Sequence, residues 1–141
     1  MTAVQPEGER RQAHTCVLPM RWGDMDAYGH LNNVAYFRFM EEARVRLLDA
    51  MQISDIETGR EAPVVINAGC TFLSQLAYPD DIRVVCLVGE PGRSSFMIWY
   101  ELYSSAQPDQ PAAEGYSKVV WIDRETNRSV PLPALIRQQL A

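Results

Sequence analysis

The sequence predicts an α+β domain of one long helix and five strands, and three observations carry that reading. Between Val34 and Met51 the apolar residues Tyr36, Met40, Ala43, Leu47 and Met51 recur at three- and four-residue intervals, the period of a helix buried on one side. One β-prone run precedes this segment and four follow it, each bounded by turn chemistry. At 141 residues and 16.0 kDa, 47% hydrophobic and 22% charged, the chain has the size and composition of one ordinary soluble domain.

Each element has its own justification. Met1 to Ala13 carries Glu7, Glu9, Arg10 and Arg11 without an apolar run, so residues 1–13 are expected to form a mobile polar tail and residues 14–141 the domain. His14 to Trp22 reads as the first strand, with Cys16, Leu18 and Met20 on one face; Pro19 confines it to a sheet edge or a bulge. Gly23 ends it. The helix at Val34 to Met51 has Phe37, Arg44 and Leu48 on its flank, and Asn32 or Asn33 suits its N-cap, because an amide oxygen there accepts from the orphan N–H groups of the first turn.

Ala62 to Leu73, Ile82 to Gly89, Ser94 to Ser104 and Ala113 to Ile122 are rich in Val, Ile, Phe, Tyr and Trp. Tyr78-Pro79-Asp80-Asp81, Glu90-Pro91-Gly92-Arg93 and Gln107-Pro108-Asp109 separate them. At Pro91-Gly92 the proline presets φ and the glycine offers the positive φ of a type II turn, which predicts an antiparallel hairpin between the flanking strands. Ile82, Val84, Cys86 and Val88 alternate with Arg83, Val85, Leu87 and Gly89, so both faces of that strand are largely apolar. One helix covers one face only. A second subunit is therefore expected over Val84 to Leu87 and Phe96 to Tyr100, making the protein a homodimer or homotetramer. Pro133 to Leu140 suits a short helix with Pro133 in its first position.

Composition excludes several classes of function. A net charge of −5, a pI near 5.0 and a single lysine, Lys118, argue against nucleic acid as partner, since phosphate neutralisation needs clustered Lys and Arg. No run approaches the length of a membrane span and no apolar h-region follows Met1, so a cytoplasmic protein with no membrane partner is expected. Cys16, Cys70 and Cys86 are odd in number and lie among apolar residues outside any C-x-x-C spacing. They read as reduced core side chains, with neither a disulfide nor a zinc site.

Chemistry concentrates between Arg21 and Tyr36, where Asp24, Asp26, His30, Asn32 and Asn33 put two carboxylates, an imidazole and two amides within ten residues. Turn chemistry alone accounts for Asp24, Gly29 and one asparagine, but not for the whole set. The stretch resembles the hotdog-fold acyl-CoA thioesterases of the 4-hydroxybenzoyl-CoA thioesterase type, whose signature is D-x-D after the first strand and then G-H-x-N-N-x-x-Y opening the central helix. Asp24, Asp26, Gly29, His30, Asn32, Asn33 and Tyr36 fill those positions, and the resemblance spans about Thr15 to Asp123. It implies a long central helix wrapped by a five-stranded antiparallel sheet, and subunits paired into dimers or tetramers.

The resemblance also implies roles. Asp26 matches the family's catalytic carboxylate, acting as nucleophile through a mixed anhydride or as general base on water. The backbone N–H at Asn33 matches its oxyanion donor, helped by the positive end of the helix dipole. His30 and Asn32 match the H-x-N-N variant, which includes plant acyl-carrier thioesterases in which the histidine takes part in catalysis. Tyr36 lies on the apolar helical face, where core packing is its leading role; with its hydroxyl near the acyl group it is expected, like Asn32, to contact substrate. Asp24 reads as structural, since a turn at Met25 would part it from Asp26. No cofactor is implied, because coenzyme A is part of the substrate. Its phosphates need a local basic point on an acidic chain, and Arg93, followed by Ser94 and Ser95, is the candidate.

Four alternatives stand beside this reading. Glu41 or Glu42 would replace Asp26 if the carboxylate came from the helix, as in another hotdog branch. Asp24, Asp26 and His30 offer at most three ligands to a divalent cation, so no metal is expected. Hotdog dehydratases and hydratases use a G-D-x-N-P-x-H spacing that Gly23 to His30 does not follow. A non-catalytic acyl-thioester binding protein would use the same pocket, but has no need of a carboxylate beside a thioester carbonyl.

Overall fold

The computed structural model describes residues 6–53 and 59–140. Strand β1 (Arg11–Pro19) leads through a 3-10 turn at Trp22–Asp24 into helix α1 (Asn33–Ala50). Strands β2 (Glu61–Phe72), β3 (Asp81–Val88), β4 (Ser95–Ser104) and β5 (Ala113–Asp123) follow, then helix α2 (Ala134–Leu140). The five strands form one antiparallel sheet in the order β1-β3-β4-β5-β2, so β1 and β2 are its edges. This is the α+β hotdog arrangement, with α1 lying along one face of the sheet.

Strand alternation builds the core. Leu18 of β1, Ile82, Val84, Cys86 and Val88 of β3, and Phe96, Ile98, Tyr100 and Leu102 of β4 all point to the helix side and are buried. Tyr36, Met40, Ala43 and Leu47 of α1 meet them, as the helical period requires. Beside this apolar seam, Arg44 Nη1 donates to the hydroxyls of Tyr100 (3.3 Å) and Ser117 (3.4 Å), satisfying two buried polar groups. Cys16, Cys70 and Cys86 are free thiols, and burial pushes Cys70 up to about 11 and Cys86 up to about 12, so both stay protonated and unreactive. Among the described residues no helix is long and apolar enough to cross a membrane.

Three expectations are corrected. Strand β1 starts at Arg11 rather than His14, because Arg11 and Gln12 continue the pairing with Val88 and Leu87 across a bulge before His14. Residues 6–10, also expected in the tail, run over Trp99: its indole N–H donates to the Pro6 carbonyl (3.2 Å), and the Arg10 guanidinium stands 4.3 Å from the ring centroid. Residues 1–5 lie outside the described residues. The second correction follows. Val85 and Trp99 are each only 4% exposed within a single chain, so these two need no second subunit to cover them, whereas Leu87 and Met97 on the same face stay half-buried. Exposed large apolar side chains sit elsewhere, at Val34 and Phe37 of α1 and at Val65, Ile66 and Phe72 of the edge strand β2.

The third concerns Pro91-Gly92. Strands β3 and β4 do pair antiparallel, with Val88 opposite Ile98, but Gly92 does not adopt a positive φ. The carbonyls of Gly92 and Arg93 each accept from Arg137 of α2 at 2.8 Å, and Gly92 N–H donates to Ser95 O, so docking of α2 sets this turn. Helix α2 itself begins one residue after Pro133, whose carbonyl accepts from Arg137 N–H (3.0 Å).

Gly115 of β5 lies beneath α1, where a Cβ would collide with the Met40 thioether and stand 3.0 Å from the Gly69 carbonyl on β2. Gly115→Ala is expected to cost about 1–3 kcal/mol, read as a lower urea midpoint, because the added methyl pushes both the helix and the neighbouring strand.

Candidate active site

The end of β1 and the start of α1 bracket the chemistry. Asp24, 8% exposed, accepts from the Arg21 backbone N–H (2.9 Å) and pairs with its guanidinium (2.9 Å). These bonds hold its carboxyl below the ordinary value, the Arg21 side chain contributing most. The Asp24 carbonyl in turn accepts from Asn32 N–H (2.9 Å), tying the turn to the helix cap. Asp24 is therefore a structural carboxylate, and the bridge between Met25 and Leu31 separates it from Asp26.

Between that bridge's two strands, residues 26–30 close a tight loop. Asp26 N–H donates to the His30 carbonyl (2.7 Å), and its Oδ1 accepts from the backbone N–H of Tyr28 (2.8 Å) and of His30 (3.1 Å). Gly29, at φ 84°, makes the left-handed step that a side chain would oppose. The His30 and Tyr28 amides pull the Asp26 carboxyl below the ordinary value, so it is ionised near neutral pH. Its Oδ2 has no hydrogen-bond partner among the described residues.

Helix α1 starts immediately beyond. Leu31 N–H donates to the Leu76 carbonyl (2.8 Å), and Asn32 is the N-cap, its Oδ1 accepting from Val34 N–H (3.1 Å). The Asn32 carbonyl takes Ala35 N–H (2.8 Å). Asn33 N–H, at the first helical position, is left without a partner among the described residues, as the geometry of a helix start dictates.

Asp26, His30, Asn33 and Tyr36 line one cleft of about 340 Å³, closed on its far side by Phe72, Leu73, Ser74 and Gln75. Tyr36 is buried at 4% exposure and meets Phe72 edge to face at 4.8 Å; burial raises the pKa of its hydroxyl, which stays protonated. Asp26 also borders a second cleft of about 590 Å³ with Trp22, Met25 and Tyr78. Residues Phe72 to Gln75, Trp22 and Tyr78 were not singled out from the sequence. They belong to no motif, and only sheet topology carries the end of β2 to the start of α1.

Other predicted residues are not brought here. Arg93, Ser94 and Ser95 sit at the β3–β4 turn, whereas the Asp26 loop is at the Ser104 end of β4, 10 residues and about 30 Å away. Within one subunit they do not reach the cleft. Glu41 and Glu42 line a separate groove with Asp24, Arg21 and Arg38, and Glu42 faces Arg46 at 3.9 Å. Among the described residues no three His, Cys, Asp or Glu side chains converge as a metal site.

The model of the thioesterase-like superfamily matches residues 20–140, nearly the whole chain and all of the site. The chain belongs to the thioesterase-like superfamily. It is 39% identical to the PA2801 protein of Pseudomonas aeruginosa, provisionally described as a thioesterase, with a TM-score of 0.88 over 93% of this chain and 100% of that one. It is 28% identical over 129 residues to the chloroplastic acyl-acyl carrier protein thioesterase ATL3 of Arabidopsis thaliana, covering 89% of this chain and 66% of that protein. A DHNA-CoA thioesterase of Staphylococcus aureus, 19% identical, shares the fold with a TM-score of 0.77, covering 84% of this chain and 79% of its own.

In this superfamily member the cap of α1 determines where the Asn33 N–H points. Asn32→Ala is expected to lower unfolding free energy by about 1 kcal/mol in chemical denaturation, and Asn32→Asp to restore most of the loss.

Proposed function

We propose that this enzyme hydrolyses acyl-coenzyme A thioesters to a carboxylic acid and free coenzyme A, with Asp26 driving attack and the Asn33 N–H stabilising the oxyanion. Thioester hydrolysis as a class follows from superfamily membership. One observation carries the finer assignment: an ionised carboxylate with one unengaged oxygen and an unpartnered helix N–H border the same cleft.

The chemistry balances by either of two routes. As nucleophile, Asp26 Oδ2 adds to the thioester carbon, the C–S bond breaks, and water hydrolyses the resulting mixed anhydride. As general base, the carboxylate takes a proton from water as the water oxygen adds to the thioester carbon, and the C–S bond then breaks to release the thiolate. In both, negative charge grows on the carbonyl oxygen, where an N–H at the positive end of α1 lowers the barrier without reorganising. His30 supplies the proton that the departing thiolate needs. Asn32 and Tyr36 contact the substrate near the carbonyl, with Tyr36 and Phe72 as the apolar wall for the acyl group. Neither route draws on a metal or a cofactor. A pure acyl-thioester binding protein would lose affinity by desolvating the Asp26 carboxylate without using it.

The same reading includes assembly. Strand β2 is an edge whose bulge at Val65/Asn67 leaves Ile66 59% exposed; Val65 and Phe72 of the same strand and Val34 and Phe37 of α1 are exposed as well. A second copy covering this strip would enclose the acyl cleft. Arg93, Ser94 and Ser95 would serve coenzyme A phosphates only from another subunit.

Asp26→Asn is expected to reduce kcat about 10³-fold with the fold intact, whereas Asn33→Ala keeps much of the activity because the main-chain N–H survives. More than about a tenth of wild-type kcat in Asp26→Asn would assign the carboxylate role elsewhere. Because the folded-state pKa of Asp26 is lowered, its reactive ionised form persists above that value and is lost only as pH falls through it. kcat/KM should therefore show no acid limb between about pH 5 and 7; an acid limb within that range would assign the attacking carboxylate or base to another group. Light scattering should give the mass of a dimer or tetramer, and Ile66→Glu should shift it toward monomer.

A further inference from the structure

The Asp26 carboxylate borders two openings, and only one of them holds Asn33 and Tyr36. The other, of about 590 Å³, is lined by Trp22, Gly23, Met25, Ala27, Gly29 and Tyr78. Its rim is aromatic and unused by the fold. Trp22 is 78% exposed and Tyr78 44%, and the Trp22 indole makes no hydrogen bond or ring contact among the described residues, whereas Trp99 and Trp121 are buried. Tyr78 is nonetheless fixed in place, because its backbone N–H donates to the Met25 thioether (3.3 Å). The floor between the rings is open backbone: a Cβ at Gly23 or Gly29 would meet nothing within 4 Å. Asp26 is the only lining residue with an ionised side chain, so nothing there would hold a phosphate.

A thioester has two arms that part at the reacting carbonyl, and a carboxylate serving that carbonyl must stand where they part. Resting on the thioesterase reading above, we infer that the Trp22–Tyr78 cleft holds the amide-bearing pantetheine arm of the carrier, leaving the Tyr36–Phe72 cleft to the acyl group. Secondary amides are neutral and planar. They stack on indole and phenol faces and hydrogen-bond to exposed backbone, which is what this cleft offers. The acyl group already has its wall in Tyr36 and Phe72, on the Asn33 side of Asp26. The nucleotide end of coenzyme A, with its phosphates, falls beyond the cationless lining.

Trp22→Ala and Tyr78→Ala should be assayed on one acyl group carried by coenzyme A, by pantetheine and by ethanethiol, which has no amide. KM for the first two should rise roughly 3- to 10-fold with kcat within about twofold, and the ethanethiol ester should be unaffected. A loss confined to coenzyme A would overturn the inference by moving the rings to the nucleotide. Equal losses on all three would overturn it by making the rings supports of the loop. No loss on any would overturn it too, and a fall in oligomer mass would then give Trp22 to a subunit contact. A readout independent of turnover is the emission of Trp22. A non-hydrolysable pantetheine thioether should shift it in the wild type and not in Trp22→Phe. A wild type that shows the shift but hydrolyses no thioester would refute the hydrolase and leave the arm site standing; turnover without the shift would refute the arm site alone.

Discussion

Two main-chain hydrogen bonds at the start of α1 hold the rest of the site in place. Asn32 N–H reaches the Asp24 carbonyl and Leu31 N–H reaches the Leu76 carbonyl, so the helix start is pinned to the end of β1 on one side and to the segment after β2 on the other. Without both, the Asp26 loop and the Phe72–Gln75 wall would have no fixed relation to Asn33. The buried Asp24 carboxylate supports the first of these bonds by holding its own turn closed on Arg21. It acts as a brace while Asp26, two residues on, stays available.

Electrostatics divides those two aspartates. Both are kept ionised, but a cation and a backbone N–H do it for Asp24, while backbone N–H groups lead for Asp26. A guanidinium beside Asp26 would neutralise the charge on which the proposed chemistry depends. Two amides lower its proton affinity while occupying only Oδ1, so the second oxygen keeps its lone pairs for chemistry. In the proposed mechanism the helix adds a partial positive charge where the substrate would develop a negative one. The site thus needs no charged partner of its own, which suits an acidic chain.

Much of this was legible in the sequence where local rules apply. The period of Tyr36, Met40, Ala43 and Leu47 marks the helix, alternation marks the strands to within a few residues, and the place before an apolar run narrows the cap to Asn32 or Asn33, of which the structure uses Asn32. The D-x-D and G-H-x-N-N positions marked the loop that the structure closes around Asp26. What escaped depends on sequence-distant contacts. Nothing local says that residues 6–10 cover Trp99, that α2 sets the Gly92 turn through Arg137, or that the end of β2 faces His30. Arg93 stands out in the sequence as a cation beside a turn and two serines, but which end of β4 the Asp26 loop meets is set by sheet topology, which no local pattern encodes.

The strap over Trp99 bears on the order in which the chain assembles. Pro6 meets an indole 93 residues later, and β1 finds its partner in β3, across the whole of α1 and β2. Residues 6–10 thus have no surface to settle on until the β3–β4 hairpin exists. Contacts so far apart in sequence carry a large loop-closure entropy and form slowly. During synthesis β1, whose Cys16 and Leu18 end up buried, must wait for β3, and it is the segment that gains most from a chaperone's cover.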